Sequence, residues 1–147
     1  MRVVLDTNVV ISATLIKGGN EDRILRAWQR GTFQLILSPQ ILEEMGRVLF
    51  YERIRKSRWM DDTDVVAFLQ ILAAESVLVP GRLKVKASRD PADDKFLAAA
   101  VEGKVEYVVT GDKDLLVLKA YKRVEIVTPG RFVRILATGG SRGSLDQ

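Results

Sequence analysis

The sequence predicts an α/β protein, a three-layer α/β/α fold around a central parallel sheet of about five strands. Three observations point there. Short apolar, β-branched runs alternate with segments of helical period along the whole chain. Most helical segments open on a capping residue or a proline. The 147 residues, 47% of them apolar, suffice for one buried core without internal repeats or staples.

Each element has a local reason. Val3–Leu5 is the first buried strand, and a helix follows from Thr7 to Leu15 until Lys17-Gly18-Gly19 breaks it. Asn20 is read as the N-cap of the next helix, Glu21 to Arg30, which carries Ile24, Leu25 and Trp28 on one face and has Gly31 at C′. Phe33–Leu37 is the second strand. Ser38 then caps a helix with Pro39 at its first position, running through Val48 and Leu49 toward Arg55. Asp61–Thr63 cap a helix from Asp64 to about Glu75, and Val77–Val79 is a strand stopped by Pro80. Residues 82–88 form a loop or edge strand. Asp90-Pro91 opens a helix ending near Gly103, Tyr107–Thr110 is a strand, and a short helix lies around Leu115–Leu118. Val124–Val127 is the last strand, and Pro129 starts the last helix, to Leu136. One domain thus spans 1–136, followed by a Gly/Ser-rich flexible tail, 137–147.

Composition removes much chemistry. The chain has no cysteine and no histidine, which excludes disulfides, thiolate nucleophiles, Cys/His zinc sites, Ser-His-Asp triads and imidazole acid–base catalysis. Carboxylates and the hard ions they bind remain. No apolar run approaches the roughly 18 residues that span a bilayer. The Val3–Leu5 run is cut short by Asp6, so the start does not read as a signal peptide. A cytoplasmic location is expected. The net charge of +4 is unevenly spread: Arg47, Arg53, Arg55, Lys56 and Arg58 cluster with Phe50, Tyr51 and Trp59, and Arg82, Lys84, Lys86 and Arg89 form a second group. Alone these read as solvated surfaces; beside an acidic centre they become candidate rails for a polyanion.

Such a centre is legible. In open parallel sheets, ligands bind beyond the carboxyl ends of the strands. Asp6 directly follows the first strand, and Asp112 follows Thr110 by two residues. In the helix after Ser38, Glu44 lies roughly 100° from the centre of the apolar stripe and Glu43 about 160°. In the helix after Pro91, Asp93 falls nearly on the apolar line and Asp94 about 90° off it. Each acid also has a structural explanation: Asp6 and Asp93 as N-caps, Asp112 as a turn residue, Glu44 as an amphipathic boundary. Together, four carboxylates at one edge repel unless a cation neutralises them. That is the composition of a Mg²⁺ or Mn²⁺ site, where the ion polarises phosphoryl oxygens. Thr7, Asn8 and Thr110 are polar residues able to assist or simply to cap, and Asp114 is a candidate indirect ligand.

These residues resemble those of PIN-domain ribonucleases, over Met1 to about Leu136. The resemblance rests on Val-Val-Leu-Asp6-Thr7-Asn8, Leu-Ser38-Pro-Gln-Ile-Leu-Glu-Glu44, Asp90-Pro-Ala-Asp93-Asp-Lys-Phe-Leu and Val-Thr110-Gly-Asp112-Lys-Asp114-Leu-Leu. The branch it looks most like is the VapC-type toxins of toxin–antitoxin pairs. The resemblance implies a Mg²⁺- or Mn²⁺-dependent endoribonuclease, with Asp6, Glu44, Asp93 and Asp112 as catalytic acids and metal ligands. It implies Asp114 as a further ligand and Thr7, Asn8 and Thr110 as supporting residues. It also implies an RNA substrate, a cognate antitoxin and a homodimer or larger assembly. The doublets Glu43/Glu44 and Asp93/Asp94 leave the alignment open by one position; helical angle and motif spacing select Glu44 and Asp93. A haloacid-dehalogenase phosphohydrolase needs a second Asp where Asn8 stands, and a receiver domain fits poorly with Pro80-Gly81 after the third strand. The competing reading from another class is a catalytically weak RNA-binding or antitoxin-binding module on the same fold.

Overall fold

The computed structural model describes residues 1–139. The tail expected at 137–147 lies outside them from residue 140 on. Six strands and eight α-helices are present among the described residues: β1 (Arg2–Leu5), α1 (Thr7–Leu15), α2 (Asn20–Gln29), β2 (Gln34–Leu37), α3 (Pro39–Leu49), α4 (Glu52–Ser57), α5 (Asp62–Glu75), β3 (Val77–Leu78), α6 (Asp94–Glu102), β4 (Tyr107–Val109), α7 (Lys113–Leu116), β5 (Ala120–Tyr121), β6 (Val124–Val127) and α8 (Pro129–Ala137). They form one sheet in the order β3-β2-β1-β4-β6-β5.

Every pairing is parallel except β5 with β6. The α/β class expected from sequence is therefore the observed one. The sheet gains a sixth, antiparallel strand because Ala120–Tyr121 folds back on Val124 in a tight hairpin, whose two-residue strand is too short to show an apolar period. Val3, Val4, Leu5, Leu35, Ile36, Leu37, Val108 and Val109 are all fully buried. Such continuous apolar strands are what a sheet covered on both faces requires. α6 packs against β1, β2 and β4, while α1 and α8 pack on α2.

Local chemistry sets most boundaries. Ser38 accepts a hydrogen bond from Ile41 N before Pro39, and Thr128 does the same from Arg131 N before Pro129. Two boundaries differ from the sequence reading. The N-cap of α2 is Gly19, not Asn20, and the start of that helix is tied instead by Asp22, whose carboxylate accepts from Gly18 N. The helix expected to run toward Arg55 stops at Phe50, where Tyr51 is extended, and α4 starts anew. That break lets the Arg58 guanidinium fold back onto the carbonyls of Leu49 and Met60.

Residues 82–88 are a loop, not an edge strand. Two acids of α6 hold it: Glu102 accepts from the backbone N–H of Gly81, Arg82 and Leu83, and Asp94 accepts from Ala87 and Ser88. Gly81 sits at φ +70°, and a Cβ there would lie 2.2 Å from Gln40 Oε1, so the loop start needs glycine.

Candidate metal centre

β1 and β4 are neighbours with Leu5 opposite Val109, and the chain leaves β1 toward β2 on one side and β4 on the other. The crevice beyond their carboxyl ends is thus a topological switch point. Asp6 and Asp112 both stand there, each as an N-cap. Asp6 Oδ1 accepts from Asn8 N at 3.1 Å and Asp112 Oδ1 accepts from Asp114 N at 2.8 Å. The structural explanation for these two acids and the functional one are therefore compatible, because a carboxylate has about four lone-pair sites and capping uses one of them.

Thr110 joins the two. Its hydroxyl donates to Asp6 Oδ2 at 2.7 Å and accepts from Asp112 N at 2.9 Å. Asp93 closes the group from the third side. It lies in a 3₁₀ turn, Pro91–Asp93, ahead of α6 rather than inside an α-helix, yet it is 8% exposed. The sequence angle argument assumed the wrong helical geometry but placed this side chain on the buried side. Its Oδ2 has no hydrogen-bond partner among the described residues, and an unsatisfied buried carboxylate oxygen is costly.

The electrostatics follow. Burial pushes the Asp93 carboxyl up to about 7, reinforced by a shared hydrogen bond with Asp112 and by the charges of Asp112, Asp6 and Asp90. Burial also raises Asp6. Hydrogen bonds from Thr110 and Asn8 oppose that rise, and the charges of Asp112 and Glu44 add to it. These acids repel one another, and no Lys or Arg of the described residues forms an ion pair with Asp6, Asp93 or Asp112. A hard divalent ion fits such an all-oxygen, under-satisfied donor set.

The outer residues are arranged differently. Asp90, Asp93 and Asp114 bring ligand oxygens within 4.8 Å of one another. Asp90 escaped the sequence reading, which took it as the start of a helix; it does cap the 3₁₀ turn, accepting from Ala92 N. The signal that would have found it is its spacing, one turn before Asp93. Asp114 pairs with Arg89 at 3.0 Å, and Glu44 with Lys95. Glu43 is exposed and paired with Arg47 at 3.1 Å. Asp94 is spent on the 82–88 loop. Of the supporting residues, Thr7 is buried with its hydroxyl unpartnered among the described residues, and the Asn8 side chain is exposed.

The basic clusters fare unequally. Arg55 and Arg58 both bind Asp62, Lys56 pairs with Glu52, and the Arg58 side chain is 1% exposed. Arg58 is thus internal scaffolding, while Arg47, Arg55 and Lys56 are paired with acids but remain half or more exposed. Arg82, Lys84 and Lys86 are exposed on the loop beside the acids' helix.

A mostly parallel α/β sheet with a carboxylate cluster at its switch point defines a class of protein able to seat a metal ion where a substrate would meet it. The chain belongs to the PIN-domain family: the family model described as PIN domain matches residues 2–114, from the first strand to the last of the clustered acids. Members of that family are in general nucleases. The chain is also 29% identical, over 141 residues covering 90% of each protein, to an uncharacterized protein of Methanocaldococcus jannaschii. No helix of the described residues is long and apolar enough to cross a membrane.

Proposed function

We propose that the protein is a Mg²⁺- or Mn²⁺-dependent endoribonuclease, the toxin of a toxin–antitoxin pair, acting in the cytoplasm as a homodimer restrained by a cognate antitoxin. The observation that carries the nuclease reading is the convergence of Asp6, Asp93 and Asp112 without a protein cation, with a buried Asp93 oxygen left unpartnered. The toxin, partner and assembly parts of the reading rest on the sequence resemblance.

In this reading Asp6, Asp93 and Asp112 hold the ion, Asp90 and Asp114 extend the acidic set on one side, and Glu44 flanks it on the other. A bound divalent ion polarises the scissile phosphoryl group and acidifies water. Thr110 fixes the orientation of Asp6 through its hydroxyl and of Asp112 through that residue's backbone N–H. A carboxylate of the cluster takes the proton from the attacking water, and the departing 3′ oxygen is protonated from solvent.

The test is cleavage of a panel of structured RNAs with Mg²⁺, Mn²⁺ or EDTA, comparing wild type with Asp6→Asn. Cleavage by wild type that requires the metal is expected. The Asp6→Asn loss should exceed the roughly 100-fold that removal of a ligand's hydrogen-bond partner can cost. RNA binding without metal-dependent cleavage would instead establish a binding module, and equal cleavage by the variant would remove Asp6 from the site.

A further inference from the structure

A groove of about 430 Å³ adjoins the carboxylates, lined by Pro39, Gln40, Glu43, Glu44, Arg47 and Lys95. It is of a size that holds one small ligand. Two of its residues link it to the acidic cluster. Glu44 forms part of its wall and its charge is felt at Asp6; Lys95 lies two residues beyond Asp93. Neither basic cluster conspicuous in the sequence contains Lys95.

The Lys95 ammonium is held, not loose. It donates to Glu44 and to the Ala92 carbonyl, and it stands 5.0 Å from the centre of the Phe96 ring. Its side chain and that of Glu44 are 22% and 21% exposed. An ammonium has three donors, so two protein acceptors leave one for a ligand in the groove. Arg47 is fixed in the same manner, with Nε on Glu43 at 3.1 Å and Nη1 on Tyr51 Oη. The groove therefore presents two cations oriented in advance by acids that do not use all their donors. An anionic chain leaving the carboxylate cluster on this side meets them next.

We propose that this groove seats the nucleotide adjacent to the scissile phosphate of a single RNA strand, with Lys95 gripping that nucleotide's phosphate and Glu44 serving as the positioning residue for Lys95. The inference deepens the nuclease reading and rests on it. It gives Glu44 a task at Lys95 in addition to the negative charge it adds at Asp6.

The experiment measures binding of a fluorescently labelled single-stranded oligoribonucleotide to the Asp6→Asn protein, with and without Lys95→Met, over a range of salt. The added change should weaken binding about ten-fold, the scale of one charged hydrogen bond. It should also make the slope of log affinity against log salt shallower by about 0.7, one phosphate contact. Lys95→Gln should repeat both effects, which separates loss of the charge from a packing fault peculiar to methionine. Unchanged affinity, or weaker affinity with an unchanged salt slope, overturns the assignment even where wild type cleaves RNA. Failure of wild type to cleave any RNA with Mg²⁺ or Mn²⁺ overturns the nuclease reading itself, and this inference with it.

Discussion

Asp62 and Asp93 are the same residue in opposite settings. Asp62 opens α5 in a run of acids, Asp61-Asp62-Thr63-Asp64, about as dense as the one around Asp93 and read from the sequence as a helix start. In the structure Asp61 caps the helix by accepting from Asp64 N, and hydrogen bonds from Arg58 and Arg55 hold the Asp62 carboxyl below its ordinary range. Asp93 also has two acids within three positions, Asp90 and Asp94, but no guanidinium or ammonium among the described residues pairs with it, and its carboxyl is pushed up to about 7. Similar local density of acids thus leads to opposite roles. What separates the two is whether the protein supplies the neutralising cation. Where it does, the acid is part of the scaffold; where it does not, the acid is left to be neutralised by a proton or by an ion from solution.

The largest expected effect short of removing a carboxylate comes from Thr110. Val has nearly its shape but no hydroxyl, so Thr110→Val leaves Asp6 Oδ2 and Asp112 N without their shared partner. Metal-dependent cleavage should fall 10- to 100-fold, the usual scale for losing a partner that orients a ligand, and the concentration of Mn²⁺ giving half-maximal rate should rise. Wild-type kinetics in this variant would mean that the acids orient themselves without Thr110.

Arg58→Met breaks the other side of the comparison. It strips Asp62 of one partner and leaves the Leu49 and Met60 carbonyls unpaired, a cost of about 1–3 kcal/mol in unfolding free energy. Cleavage per folded molecule should not change, because Arg58 is scaffold. A variant of wild-type stability that lost RNA affinity would return Arg58 to the list of substrate contacts suggested by its sequence neighbourhood.

Much of this organisation was open to sequence reasoning because it rests on local rules. The capping of α3 by Ser38-Pro39 and of α8 by Thr128-Pro129 follows from backbone chemistry within four residues. The shared edge of Asp6 and Asp112 required only that β1 and β4 be neighbours. What sequence could not supply was the pairing state of each charge. Arg58 reaches the Leu49 carbonyl only with the chain broken at Phe50, and Glu44 meets Lys95 across two helices 51 positions apart in sequence. The β5–β6 hairpin was invisible for a related reason: two-residue strands carry no period to read. Asp90 was hidden by its proline, since Asp-Pro is also the ordinary start of a helix.

The last effect is read in the pH dependence of stability, leaves the catalytic rate aside, and tests the premise that Asp93 lacks a cation. Burial and the neighbouring acids push its carboxyl from the ordinary 3.8 up to about 7 in the folded protein. Below about pH 4 both states are protonated, and Asp93 contributes nothing to the pH dependence. Between pH 4 and 7 the unfolded chain releases the proton and the folded protein retains it, so metal-free wild type loses stability as pH rises, and the loss levels off above 7. Asp93→Asn cannot ionise and escapes that loss. In EDTA the two should melt together near pH 4, and the variant should melt several degrees higher at pH 7.5. Adding Mg²⁺ or Mn²⁺ at pH 7.5 should raise the melting temperature of wild type and leave the variant nearly unmoved, since only an ion-binding native state gains by mass action. If wild type in EDTA is instead as stable at pH 7.5 as Asp93→Asn, Asp93 already has its counter-charge. The contrast with Asp62 would then collapse, and with it the main reason for placing a metal at this edge of the sheet.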